Sequence, residues 1–154
     1  MPFVSPDPQN MLLLQATTFA DAYRLHSTEP GLDATTAAER IMTRVPRWIT
    51  LLLTLRDALV RPLGLKGATD ERPAELPRIG LFPLLSRSPT RVVLGLDDWH
   101  LDFRLVIDTP GNGDMTGTTL VRTHNRFGRV YLRLILPFHR LIVPPMMRQA
   151  LARG

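Results

Sequence analysis

The sequence has no cysteine in its 154 residues. This absence excludes disulfides and thiol chemistry, and it leaves a zinc site only histidine and carboxylate ligands. No uncharged apolar run reaches about 18 residues, so the sequence predicts no transmembrane helix. The first fifteen residues, MPFVSPDPQNMLLLQ, carry prolines where a signal peptide needs a basic region and a long apolar run. We therefore expect a cytoplasmic protein.

Lysine is almost absent, because Lys66 stands alone against eighteen arginines. The net charge of +5 and the pI of about 10.9 would permit binding to nucleic acid or to an anionic surface. The arginines are spread along the chain without a block of like charge, and two tryptophans offer little for stacking on bases. We interpret the arginine excess as codon bias of a GC-rich genome and expect no nucleic-acid partner.

Signatures of known catalytic sites are also missing. The sequence has no serine elbow, no H-E-x-x-H, no P-loop and no paired carboxylates in a supporting context, and it indicates neither a cofactor nor a metal. Hydrophobic residues make up 44% and charged residues 21%, which is typical of a globular domain. We expect an extended N-terminal arm at 1–17, because of its prolines, and a single α+β domain at 18–154.

Apolar periodicity divides the chain into helical and extended parts. Steps of three and four residues predict helices at 34–44 and 46–61, with Asp33 or Thr35 as the cap and Pro46 as the break between them. A polar loop follows at 67–77. Alternation with period two predicts about five strands, at 19–25, 82–86, 90–96, 99–108 and 116–124.

The pattern becomes helical again from Asn125, a good N-cap residue, and it predicts a long C-terminal helix. We expect Pro137 to kink this helix and Pro144 and Pro145 to interrupt it. An antiparallel sheet with one apolar face needs a cover, and this helix is long and apolar enough to be that cover. The element order resembles the helix-grip fold of the START and Bet v 1 superfamily, in which a curved sheet wraps a C-terminal helix around a cavity.

Three segments carry a resemblance to a specific family. They lie at 48–66, at 94–104 with the sequence LGLDDWHLDFR, and at 124–143 with the sequence HNRFGRVYLRLILPFHRLIV. On these residues the chain resembles, over 18–150, the bacterial domain-of-unknown-function family DUF2867. That family has no established activity, so the resemblance implies no catalytic residues. Some members follow an NAD(P)-binding domain similar to short-chain dehydrogenases, but this chain has no G-x-G-x-x-G and no such domain.

Polar residues cluster in two places, the predicted strand at 99–108 and the junction between the last predicted strand and the C-terminal helix. On a strand, His100, Asp102 and Arg104 share a face, where the carboxylate could orient the imidazole as a general base or join it as a metal ligand. We favour the alternative, a solvated face with cross-strand ion pairs. At His124 and Arg126, a helix N-terminus beside an arginine could bind an anion, although a capped junction with a surface arginine explains the same residues.

The apolar side of the C-terminal helix completes the candidate site. It could line a cavity, fill a core or form a dimer face. We expect His139 to hydrogen-bond a backbone carbonyl freed by Pro137 or a strand carboxylate. The predicted ligand-binding residues are Asp98, Leu101, Phe103, His124, Arg126, Tyr131, Ile135, Phe138 and His139. The catalytic candidates are His100, Asp102, Arg104 and His124.

Three functional hypotheses follow. The first is a module that binds a small apolar or amphipathic ligand between the sheet and the C-terminal helix. The second is an enzyme of the cyclase or isomerase type, which requires at least two of the polar candidates to converge inside the cavity. The third is a structural or interaction protein with a filled core and an apolar patch paired in a homodimer.

Overall fold

A computed structural model describes residues 3–27, 29, 31–42, 47–48, 50–51, 54, 58, 77–79, 82–97 and 100–151. Within these residues the scaffold is a seven-stranded antiparallel sheet with the order β1-β2-β7-β6-β5-β4-β3. Its strands are β1 Phe3–Val4, β2 Phe19–His26, β3 Arg78–Ile79, β4 Phe82–Arg87, β5 Arg91–Asp97, β6 Leu101–Asp108 and β7 Asp114–Thr123. Strands β4 to β7 are consecutive neighbours, and β2 adds to the free edge of β7.

The described helices are α1 Pro8–Met11, α2 Ala34–Met42 and α3 Arg126–Arg148, and a 3₁₀ turn follows α3 at Gln149–Leu151. The predicted α+β class, with an antiparallel sheet and a long C-terminal helix, is confirmed, and the arrangement is consistent with a helix grip. The expected number of strands was too low. The two additional strands, β1 and β3, are two residues each, which is too short for alternation to show in the sequence.

Helix α2 begins where the capping pattern predicted. The Asp33 side chain accepts a hydrogen bond from the backbone N–H of Thr36 at 2.7 Å, so Asp33 rather than Thr35 caps the helix. The predicted helix at 46–61 lies mostly outside the described residues. Those described within it, at 47, 48, 50, 51, 54 and 58, are helical. The predicted loop at 67–77, apart from Pro77, and Trp99 at the start of a predicted strand also lie outside them.

Helix α3 continues through three prolines rather than stopping at them. Asn125 caps it as predicted, because the side chain accepts a hydrogen bond from the N–H of Gly128 at 2.9 Å. Pro137, Pro144 and Pro145 then lie inside one helix of 23 residues. The φ of proline suits a helix, but each ring removes the hydrogen bond to the carbonyl four residues earlier and crowds that carbonyl. Those carbonyls belong to exposed residues, where water can replace the lost donor.

The turn between β6 and β7 needs glycine at two positions. The predicted turn at 110–113 is present, with φ of +94° at Gly111 and +91° at Gly113. Positive φ values are unfavourable for residues with a Cβ, so this short connection sets where β7 starts.

The sheet is covered on both faces. On one face, α2, α3 and the 3₁₀ turn enclose the apolar core, which includes Leu94, Ile107 and Met115. On the other face Val106 and Leu120 are fully buried, and residues of the N-terminal segment lie beside them. Asn10 donates from its side chain to Asp108 at 2.9 Å, and Gln15 accepts from Arg122 through its backbone carbonyl.

Among the described helices, none is both long and apolar enough to cross a membrane.

The first turn of α3 packs unusually close to the sheet. A Cβ placed on Gly128 would lie 2.0 Å from the backbone carbonyl oxygen of His100. That oxygen accepts a hydrogen bond from the N–H of His124 at 3.0 Å, so the neighbouring chain cannot easily move away. Gly128 therefore sets the distance between the start of α3 and the start of β6.

We predict that Gly128→Ala destabilises the protein, although alanine is the better helix former. The overpacked contact should lower the free energy of unfolding by about 1–3 kcal/mol. Gly31→Ala is the matched control, because nothing lies within 4 Å of a Cβ there and its φ is not positive. The control should change stability by less than about 1 kcal/mol. Urea titrations compare the three proteins, and equal midpoints for Gly128→Ala and the native chain would contradict the close contact.

Candidate functional site

A cavity of about 300 Å³ lies between α3 and the apolar face of the sheet. Its floor is formed by the side of β6 and β7 that faces the helix. The alternation of β6 predicts this side, because Leu101, Phe103, Leu105 and Ile107 point the same way and all four line the cavity. Apolar side chains of α3 form the roof.

The lining is almost wholly apolar and rich in aromatic rings. Strand β7 contributes Gly117, Thr119 and Val121, and α2 closes one side with Ile41 and Met42. The rings and α3 side chains of the lining are Phe19, Phe82, Phe103, Tyr131, Leu132, Ile135, Leu136, Phe138, His139, Ile142, Val143, Met146 and Met147. A space of this size and chemistry suits a small, largely apolar molecule.

One wall of the cavity carries a hydrogen-bonded histidine–aspartate pair. His139 lines the cavity from α3, and its Nε2 lies 3.0 and 3.2 Å from the two carboxylate oxygens of Asp21 on β2. The Asp21 side chain is 4% exposed and that of His139 is 18% exposed. Phe19 packs edge-on against the imidazole with 6.2 Å between ring centroids. Asp21 is thus the strand carboxylate that was predicted as one partner of His139.

The structure brings six of the predicted ligand-binding residues together. They are Leu101, Phe103, Tyr131, Ile135, Phe138 and His139, and all of them line the cavity. His124 and Arg126 are exposed and do not line it. Asp98 lies outside the described residues.

The four catalytic candidates do not meet in one place. His100 lies in the bend before β6 and is 1% exposed, with its ring edge-on to Tyr131 at 5.1 Å and to Phe127 at 5.6 Å. It therefore borders the cavity through Tyr131. Asp102 and Arg104 alternate with the cavity-lining residues of β6 and point to the opposite face of the sheet.

Asp102 forms a cluster with Arg122 of β7 and with His124, which follows β7, rather than with His100. The carboxylate pairs with the guanidinium of Arg122, and its other oxygen lies 2.9 Å from His124 Nε2. Burial alone would raise the pKa of Asp102, but the hydrogen bonds from His124 and Arg122 outweigh it and hold this pKa below its usual value. The Asp102 side chain is 5% exposed, whereas those of Arg122 and His124 are about one-third exposed.

Arg104 pairs with Asp97 across the β5–β6 hairpin at 2.7 Å, and the Asp97 side chain is 62% exposed. This is a cross-strand ion pair of the kind that the favoured interpretation of the β6 residues predicted, but that interpretation was wrong in expecting a solvated face, because Asp102 is buried. In the described part of the chain, no group of three histidine, aspartate or glutamate side chains could hold a metal ion.

The apolar side of α3 is wider than the cavity. Ile135 and Ile142 face inward, whereas Val130, Leu134 and Leu141 are between 58% and 68% exposed. Phe138 lines the cavity, and its ring also packs against Trp48, with 6.0 Å between the ring centroids. The helix therefore has an inward apolar sector, an outward apolar sector and an arginine sector formed by Arg126, Arg129, Arg133 and Arg140.

Several site residues were missed by sequence reasoning. Asp21 and Phe19 lie in a predicted strand, but only its pairing with β7 shows which of its residues face α3. Thr119 was assigned to one face of its strand without an indication that this face is the covered one. The methionines of α2 and α3 carry no signal in a single sequence, because core and cavity methionines follow the same spacing.

A family model described as "Protein of unknown function (DUF2867)" matches residues 13–146 of the chain. No curated protein and no solved structure matches it.

We predict that Asp102→Asn destabilises the protein by about 1–3 kcal/mol at neutral pH. The pKa of Asp102 is depressed on folding, so its contribution is present above the unfolded value of about 3.9 and is lost as the pH falls through the folded pKa. The stability difference from the native protein should therefore shrink in acid. Chemical denaturation between neutral pH and pH about 2.5 measures it.

Asp97→Asn is the matched control, because its side chain is largely exposed. We expect it to change stability by less than about 1 kcal/mol. A difference for Asp102→Asn that stays constant down to the lowest pH would show that the carboxylate charge is not what stabilises the cluster.

Proposed function

The chain belongs to the DUF2867 family of proteins of unknown function, and from this premise we propose that it binds a small, mainly apolar ligand between α3 and the sheet. The observation that carries the proposal is the cavity of about 300 Å³ with its aromatic and aliphatic lining. A domain of this size normally packs its apolar side chains at high density, and a recess of this volume leaves apolar surface that a bound ligand would cover. Ligand sites are concave and mainly apolar, with few polar groups.

The position of the cavity supports the same function. The apolar core that includes Leu94, Ile107 and Met115 adjoins the cavity, because Ile107 belongs to both. Core and cavity share one sheet and one helix, so a ligand would be held on rigid elements rather than on loops. Helix α3 would act as the cover of the site.

The His139–Asp21 pair favours a second candidate, an enzyme that moves a proton on a bound ligand. His139 lines the cavity, and the buried carboxylate of Asp21 can orient its ring and stabilise the protonated form. Such a site could take a proton from the carbon beside a carbonyl and return it to another atom of the same molecule, so the reaction would need no oxidant or reductant. This candidate uses a different histidine from those expected in the sequence.

We predict that the protein binds the neutral apolar dye N-phenyl-1-naphthylamine with increased dye fluorescence. Ile135→Trp places an indole into the roof of the cavity and should weaken the binding at least about tenfold. Leu134→Trp is the matched control, because Leu134 neighbours Ile135 but is 66% exposed. Equal dye affinities for both variants and the native protein would place the dye elsewhere and count against the proposal.

Native mass spectrometry of the protein purified from a bacterial host would identify a resident ligand. We expect a mass excess over the denatured chain that Ile135→Trp reduces and Leu134→Trp leaves unchanged. A chain that carries no added mass and also fails to bind the dye would point to the interaction protein instead.

The proton-transfer candidate has its own test. The native protein should exchange the hydrogens beside the carbonyl of 2-decanone for deuterium in D₂O, followed by proton NMR, and His139→Phe should remove this exchange. His26→Phe is the control, because His26 forms an exposed pair with Asp114. Exchange equal to that in buffer alone would exclude the activity for this ketone and leave ligand binding as the function.

A further inference from the structure

The His139–Asp21 pair in the cavity wall restricts which ligands fit. We propose that the cavity accepts apolar molecules that carry one uncharged hydrogen-bonding group, such as a hydroxyl or a carbonyl, and discriminates against those that carry a carboxylate. This inference rests on the proposed ligand-binding function and specifies the chemical class of the ligand.

Asp21 is buried on β2, next to the cavity wall. Its residue is 3% exposed, and it lies opposite Thr119 in the β2–β7 register. The side chain of Thr119 belongs to the cavity lining, and so does that of His139, which holds the Asp21 carboxylate at 3.0 Å. The carboxylate therefore lies directly behind the polar part of the wall.

The net charge of the His139–Asp21 pair depends on whether the imidazole is protonated. With a neutral imidazole the pair carries one negative charge, and with a protonated imidazole it carries none. Neither state offers net positive charge to an anion in the cavity. In surroundings of low dielectric constant the repulsion between Asp21 and a ligand carboxylate is little screened, so the charged form of such a ligand is disfavoured.

The arginines of α3 lie outside the cavity. Among the described lining residues there is no arginine and no lysine. Arg126, Arg129, Arg133 and Arg140 are exposed on the outside of α3. An anionic head group in the cavity would therefore lack the guanidinium partner that carboxylate sites in proteins normally provide.

The electrostatic field at buried Tyr23 agrees with this distribution. Burial raises the pKa of Tyr23, and the negative charge of Asp21 raises it further. Arg140 acts in the opposite sense from its exposed position and does not outweigh these two effects. The helix-facing side of β2 is thus a place where the addition of negative charge is unfavourable.

An uncharged group avoids this penalty and still finds partners. His139, Thr119 and Tyr131 belong to the lining, and imidazole and hydroxyl groups can each donate or accept a hydrogen bond. A ligand hydroxyl or carbonyl can therefore be hydrogen-bonded without a buried charge, while its apolar part contacts the rings and aliphatic side chains.

The test is competition of 1-decanol, decylammonium and decanoate with bound N-phenyl-1-naphthylamine at pH 8. The three compounds share one chain and differ in the charge of the head group. We expect decanol to displace the dye at the lowest concentration and decanoate to need at least about tenfold more. Decylammonium should fall between them, because it can approach Asp21 but must lose its hydration.

Asp21→Asn separates the role of the carboxylate from the general cost of transferring an anion into an apolar cavity. This variant should strengthen decanoate binding by at least about threefold and change decanol binding by less than about twofold. Asp114→Asn is the matched control, because it removes the carboxylate of another Asp–His pair that includes a residue of β2, and this pair lies away from the cavity lining. It should leave all three affinities unchanged.

The outcomes are distinct. Decanoate binding as tightly as decanol, or more tightly than decylammonium, would overturn the ligand class while leaving the cavity as a binding site. An unchanged decanoate affinity in Asp21→Asn would also overturn it. If none of the compounds displaces the dye and the dye itself does not bind, the ligand-binding function fails and the inference falls with it. If Asp21→Asn does not fold, the comparison of decanoate with decylammonium on the native protein decides.

Discussion

The seating of α3 on the apolar face of the sheet is the constraint on which the rest of the structure depends. Glycines lie at the contacts of the helix with the sheet at both ends, and the contact at its start, which is against backbone, sets its height there. At its start Gly128 lies under the backbone of His100, and near its end Met147 lies over Gly117, where a Cβ would come within 2.9 Å of the methionine sulfur. Between these two contacts the aliphatic and aromatic side chains of α3 and β6 span the gap without filling it. The cavity is thus a consequence of where the helix is held rather than a local defect in packing.

The three sectors of α3 have different roles in the structure. The inward apolar sector and the compact core bury enough surface to attach the helix, as burial of apolar area is the main stabilising term in folding. The arginine sector, together with the absence of acidic residues between Arg126 and Arg148, keeps positive charge on the outside and away from the cavity. Because these sectors share one element, a change in the attachment of α3 would alter the cavity and the outer surface together.

Much of this organisation follows from local pattern in the sequence. Alternation along β6 is strong enough to identify four cavity-lining residues, and the capping chemistry of Asn125 identifies where α3 starts. Interactions between distant segments could not be predicted. His139 and Asp21 are 118 residues apart, and their contact depends on β2 pairing with β7, for which no local signal exists. Local propensity predicts that Pro144 and Pro145 interrupt the helix, but packing of its apolar face holds it together through both.

The Asp21–His139 pair is an unusual choice if its role were only to stabilise the fold. A buried ion pair is weak evidence for stability, because desolvation offsets the attraction and apolar side chains of similar volume are often as stable or more so. The same sheet carries two other Asp–His pairs, His26 with Asp114 and His124 with Asp102, and in both the histidine is at least one-third exposed to water. The pair at the cavity wall combines a carboxylate excluded from water with an imidazole in an otherwise apolar lining. Filling that wall with apolar side chains would shrink the cavity at little cost to stability, so the polar pair is better explained by the proposed binding or proton transfer than by folding.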